Sequence, residues 1–191
     1  MLPPHAPPSF SDRSTLWNSV EQTEKSNNSQ LAREIELALP VELSREEQTR
    51  LVREYCSSQF VSKGMCADFN IHDTGSGNPH AHILLTMRPL DEKGAWAAKS
   101  KKEYVLDESG EKILLPSGRY KTRKIDLMDW NRQENADLWR KAWADMANDF
   151  LEQNGSAERI DHRSNAERGI DEIPTVHMGV AACQMEKKGI A

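Results

Sequence analysis

No stretch of the 191-residue sequence approaches the ~18–20 consecutive apolar residues that span a bilayer, so a membrane-spanning helix is not expected. No basic-then-apolar leader opens the chain either. Cysteine is scarce: Cys56, Cys66 and Cys183 are odd in number, far apart and form no CxxC, which argues against a disulfide framework or a zinc knuckle. A reducing cytoplasm is the default compartment. There is no internal repeat and no low-complexity tract. A positive balance is missing as well. The formal charge is −5, which speaks mildly against a nucleic-acid partner for the molecule as a whole.

What remains is the composition of a globular protein, 37% hydrophobic and 29% charged, long enough for one domain over 1–191 with its own core. Charge is unevenly placed. Residues 93–124 carry nine Lys/Arg against four acids, a basic excursion on an acidic body. Local potential governs phosphate binding more than the total does. Within that window Lys99, Lys101, Lys102, Arg119, Lys121, Arg123 and Lys124 are candidate DNA-binding residues, interleaved with Trp96, Tyr104 and Tyr120. The segments 104–107 and 112–116 flank a Glu108–Glu111 turn and predict a small hairpin inserted in the domain.

Helical periodicity predicts a helix from Ser11 to about Asn27, and a second from the Ser44–Glu47 capping box to about Phe60. A third is predicted between Asp129 and Asn154, ended by Gly155. Three segments alternate instead. In 33–39, Ile35, Leu37 and Leu39 oppose Glu34 and Glu36; in 66–72, Ala67, Phe69 and Ile71 oppose Asp68, Asn70 and His72; in 80–87, Ala81, Ile83 and Leu85 oppose His80 and His82. Each is a strand with one apolar and one polar face. Covering the apolar faces with helices gives an α/β (α+β) two-layer sandwich, a central antiparallel sheet with helices on one face and the other face free.

On that free face the histidines converge. His80 and His82 are two apart, so both rings leave one side of a strand about 7 Å apart at Cα. The DTGSGNP turn at 73–79 returns the chain so that His72 stands beside them. Three neutral imidazoles suit Mn, Zn, Co or Ni better than oxygen-seeking Mg, and they leave coordination positions open. Glu34 and Glu36 are candidates for supporting the ligands or for acid–base work.

The segments EIELALPVELSREEQ (34–48), IHDTGSGNPHAHILLTMRPL (71–90), ERIDHRS (158–164) and IPTVHMG (173–179) closely resemble the MobA/MobL relaxases, the TraA-type conjugal-transfer proteins among them. The likeness runs from about Leu2 to the end. It implies an HUH-endonuclease fold in which His72, His80 and His82 form the metal triad and Glu34 and Glu36 lie close by. It also implies a substrate, single-stranded DNA at a plasmid transfer origin, nicked by tyrosine transesterification alongside other relaxosome proteins. The family's nucleophile sits ahead of the region matched here, on a segment following a first strand. Tyr55, Tyr104 and Tyr120 do not match it, so the chain is expected to bind metal and DNA without cutting. The absent strand is expected to leave an open sheet edge prone to self-association. A non-catalytic remnant and a metal-dependent phosphodiester hydrolase are the alternative readings. His162, Arg163 and His177 fall in the resembling segments without a role that can be derived from the residues themselves.

Overall fold

The computed structural model describes residues 1–189 apart from Thr74, Ser76 and 173–178. It divides the chain into two compact units, Met1–Ile160 and Asp161–Ala191. The first holds helices α1 (Arg13–Thr23), α2 (Arg45–Gln59) and α3 (Glu134–Gln153), with strands β1 (Ala32–Ala38), β2 (Ala67–His72), β3 (His80–Thr86), β4 (Ser100–Tyr104) and β5 (Thr122–Asp126). The second contains α4 (Val180–Lys187). Among the described residues no helix is long and apolar enough to cross a membrane.

β1, β3 and β2 form an antiparallel sheet in that order, with β3 in the centre. The alternation predicted from the sequence sets its two faces. Ala67, Ala81, Ile83 and Leu85 point to the core and are almost wholly buried. Against them pack Leu51, Val52, Tyr55 and Cys56 of α2 and Trp139, Trp143, Ala147, Phe150 and Leu151 of α3. Burial pushes the Cys56 thiol up to about 12 and the Cys66 thiol to about 11, which keeps both protonated and unreactive.

Local signals fix the helix starts. Ser44 Oγ accepts from the Glu47 N–H at 3.3 Å, and Glu47 Oε2 accepts from the Ser44 N–H at 2.8 Å, the reciprocal box read from the sequence. Asp12 caps α1 by accepting from the Thr15 N–H at 2.8 Å. α3 begins at Glu134, five residues later than its periodicity predicted. Residues 129–133 are tied down instead: the Arg33 guanidinium donates to the Trp130 carbonyl and to Asn131 Oδ1, and Asn135 Nδ2 donates to the Asp129 carbonyl at 2.7 Å. α1 occupies the far end of the otherwise open face. There Leu16 packs with Cys66 and Leu90, and Arg13 and Trp17 both donate to Asp68, at 2.7 and 3.0 Å.

The basic hairpin differs from its expected form. Its ladder is Ser100–Tyr104 against Thr122–Asp126, while the predicted strands 104–107 and 112–116 meet only at the Leu106–Lys112 bridge. Two turns account for the change. Asp107 Oδ1 accepts from the Ser109 and Glu111 N–H groups, as the sequence implied, with Gly110 at φ +84°. A second reversal at Leu115–Gly118 then folds KILLP back, and Leu114 bridges Tyr120. The pairing strands are thus the outer segments.

One buried carboxylate joins the hairpin's base to the body. Glu24, whose side chain is 3% exposed, meets Arg88 Nε and Lys99 Nζ at 2.7 Å each. Burial would raise its carboxyl, but the bonds from Arg88 and Lys99 outweigh that and hold it below the ordinary value of 4.5. A carboxyl lowered on folding stabilises the protein above its unfolded pKa and stops doing so as pH falls through the folded one. Glu24→Gln is therefore expected to cost about 2 kcal/mol at neutral pH. In urea unfolding the gap to wild type should narrow below pH 4.5. An equal gap at both pH values would mean the charge contributes nothing.

Candidate metal centre

The free face reads as three rows across the sheet. Ala38, His80 and His72 form the first, Glu36, His82 and Asn70 the second, and Glu34, Leu84 and Asp68 the third. β3 contributes the centre of every row, so its two histidines are held by paired strands on both sides. His72 is the last residue of β2 and lies directly opposite His80.

The three rings converge. Centroids are 5.4 Å apart for His72–His80, 4.7 Å for His72–His82 and 5.1 Å for His80–His82. One nitrogen from each lies within 4.8 Å of the others. Two metal–nitrogen bonds of ~2.1 Å span at most about 4.2 Å, so small ring rotations bring all three onto one ion. The proton positions also suit a metal. His80 Nδ1–H donates to the Asn78 carbonyl at 2.9 Å and His82 Nδ1–H to Glu34 Oε1 at 2.8 Å. Both acceptors fix the Nδ1–H tautomer and leave the Nε2 lone pair free. The residues therefore fit a divalent ion held by three imidazoles, with positions left for water or substrate.

The remaining predicted residues separate. Glu34 orients His82 from the neighbouring strand. Glu36 stands opposite His82 but is exposed, with no bond among the described residues. Asp68, which alternation placed on the same face, is taken by α1. The Asn78 carbonyl escaped the sequence reading, because any residue offers one and only the turn's path aims it. In the basic window, Lys99 is bound at the hairpin's base to Glu24, while Arg123 pairs with Glu103 and Lys124 with Asp126, each at 2.7 Å. Lys101, Lys102, Arg119 and Lys121 are exposed and form no ion pair among the described residues. Lys112 Nζ lies 4.1 Å from the Tyr104 ring centre and 5.6 Å from that of Tyr120. Tyr55 is wholly buried and donates to the Trp139 carbonyl at 3.0 Å. In the second unit His162 is exposed beside an Arg163–Asp161 pair at 2.7 Å, and His177 lies outside the described residues.

A three-histidine centre on the open face of an antiparallel sheet defines a class of protein, and comparison with known proteins names it. The model of the MobA/MobL family matches residues 1–188, and the chain belongs to that family of plasmid-mobilisation relaxases. It is similar to the probable mobilization protein MobA of Bifidobacterium longum (strain NCC 2705), 36% identical over 99% of this chain and 36% of that protein. It is also similar to the conjugal transfer protein TraA of Agrobacterium fabrum (strain C58 / ATCC 33970), 39% identical over 91% of this chain and 15% of that one. The chain thus spans only a minor part of these relatives' length. A solved structure reported as "Molecular Basis of Vancomycin Resistance Transfer in Staphylococcus aureus" aligns at a TM-score of 0.70 and 35% identity, over 86% of this chain and 73% of that one. The sandwich expected from the sequence is therefore the fold observed, and a relaxase fold of the HUH type.

Proposed function

We propose that this chain is the metal-binding and DNA-holding body of a relaxase acting on single-stranded DNA at a transfer origin. The observation that carries the reading is the convergence of His72, His80 and His82, with the Nε2 atoms of His80 and His82 unblocked, on an uncovered face. A bound Mn, Zn, Co or Ni ion would supply Lewis acidity to a scissile phosphate. The protein's own part is to hold the three nitrogens in place, and Glu34 keeps His82 in the correct tautomer. Lys101, Lys102, Arg119 and Lys121 offer charge to the phosphate backbone, and Tyr104 and Tyr120 offer faces on which bases stack.

None of the three tyrosines is the nucleophile in this reading. Tyr55 is core, and Tyr104 and Tyr120 pack on each other with ring centres 5.9 Å apart, beside Lys112. A hydrolytic reading has less support, because of the two glutamates on this face Glu34 already accepts from His82.

The test is binding of a labelled single-stranded oligonucleotide across a salt series, with manganese present, followed by denaturing gel analysis. Binding should weaken with salt, and replacing the four free cations by alanine should reduce the log–log slope by about 2–3. No covalent adduct should form. A phosphotyrosyl adduct on this chain would overturn the assignment of the nucleophile, and a slope unchanged in the variant would remove the hairpin from the interface.

A further inference from the structure

Arg13, Arg50, Arg88 and Arg123 each meet a carboxylate, those of Asp68, Glu54, Glu24 and Glu103. Arg45 and Arg53 do not. Both are exposed, and among the described residues neither forms an ion pair. Neutral groups of β2 hold them instead. Arg45 Nη2 donates to the Ile71 carbonyl at 2.8 Å, and the Arg53 guanidinium lies 5.7 Å from the centre of the Phe69 ring. A carbonyl and an aromatic ring orient a guanidinium without neutralising it. Each arginine keeps its full charge, and most of the N–H donors of Arg45 stay free.

Helical and strand periods together set the spacing. Arg45, Thr49 and Arg53 are four apart and share one stripe of α2. The anchors Phe69 and Ile71 are two apart on β2, about 7 Å along the strand. That is close to the step between successive phosphates of an extended single strand. The line so marked ends at His72, the residue after Ile71 and the metal-centre histidine on the edge strand. A shallow hollow of about 870 Å³ follows the stripe, with Glu46 and Glu47 as the acids lining it. Glu47 Oε2 is spent on the Ser44 N–H at 2.8 Å, which leaves Glu46 against the two arginines. The basic hairpin lies elsewhere: it follows Arg88, past the end of β3 opposite to His80.

We infer that Arg45 and Arg53 form a second phosphate-binding site, which holds the DNA strand where it leaves the histidine cluster across the β2 side of the sheet. The inference rests on the relaxase reading above and gives the strand two contacts outside the basic window. With one phosphate at the triad, the next two of the same strand fall to Arg45 and then Arg53. A guanidinium suits the task, because its planar fork makes two parallel hydrogen bonds to phosphate oxygens. Such contacts read no base; they fix the strand's direction and register over the metal centre. If the two side chains only brace β2 against α2, their charge is immaterial, and that difference is what the test reads.

The probe is decathymidylate titrated into the ¹⁵N-labelled chain with zinc, a diamagnetic ion, present. Arginine Nε–H signals are read, those of Arg45, Arg50 and Arg53 being assigned by their loss in single glutamine variants. Arg45 and Arg53 should shift saturably, while Arg50, on the same helix but paired with Glu54, should move little. In a salt series Arg45→Gln/Arg53→Gln should lower the log–log slope of binding by about 1–1.5, since each phosphate contact on a single strand contributes about 0.7. Arg45→Lys/Arg53→Lys loses the fork but keeps the charge, and should keep the slope. An equal drop in the lysine and glutamine pairs would mean that bracing β2 is their part, and would overturn the proposal. So would unmoved Arg45 and Arg53 signals in a complex that still depends on the hairpin cations; the relaxase reading would then stand without this site. No oligonucleotide binding at all would sink both.

Discussion

Purified protein incubated with manganese, zinc, nickel or cobalt will retain about one ion per chain, and the His80→Ala/His82→Ala variant will retain none. The loss should be complete because the two residues supply two of three ligands from the central strand, leaving His72 alone on an edge. The fold should survive. All three rings lie on the open face, half-buried or exposed, outside the packed core. Circular dichroism and thermal unfolding of the metal-free variant should therefore match the metal-free wild type. Glu34→Gln is a milder probe: it keeps size and a hydrogen bond but removes the charge facing His82, and it should weaken metal affinity about 10–100-fold. Elemental analysis and competition with a chelating dye read both results. Stoichiometric metal in the double variant would move the centre elsewhere, and an unaffected Glu34→Gln would reduce its contact with His82 to packing.

Tyr55→Ala will be among the most damaging single changes, at about 4 kcal/mol, whereas Tyr55→Phe will cost about 1 kcal/mol. The ring is fully buried and meets Phe60 and Trp143 edge to face, at centroid distances of 5.3 and 5.2 Å. Truncation empties the seam between α2 and α3, which rigid helices cannot close. The phenylalanine keeps that volume and loses only the bond to the Trp139 carbonyl. Burial also raises the Tyr55 hydroxyl well above the usual tyrosine range, which opposes its acting as a nucleophile. Urea unfolding separates the two variants, and Tyr55→Phe should leave metal and oligonucleotide binding untouched. Equal stabilities for the two would refute the packing account, and loss of DNA binding in Tyr55→Phe would reopen the question of its role.

The strands, their faces and the triad were legible because each depended on a period of two over short stretches. Once Ala81, Ile83 and Leu85 face inward, His80 and His82 must face outward, and a seven-residue turn leaves His72 little choice of neighbour. The capping box at Ser44 was legible for the same local reason. What escaped was set by contacts between distant residues. Arg33, some hundred residues earlier, fixes 129–133 and so delays α3. The second turn near Gly118 decides which hairpin segments pair. Asp68 and Glu34 share a face and a row, and nothing in their own segments says that α1 claims one while His82 claims the other. Lys99 illustrates the point for charge: its place in a basic run suggested DNA, and its place in space gives it to Glu24.

The triad has two fixed jaws and one adjustable one. His80 and His82 sit on a strand locked from both sides, each with Nδ1 bound, whereas His72 ends an edge strand and its ring nitrogens have no partner among the described residues. A vice built this way would grip ions of different radius by moving a single side chain. The protein's contribution to metal choice would then be the softness of its three nitrogens and not the diameter of a rigid hole. Several first-row ions should enter with similar geometry, and the one found in a living cell will reflect supply as much as fit.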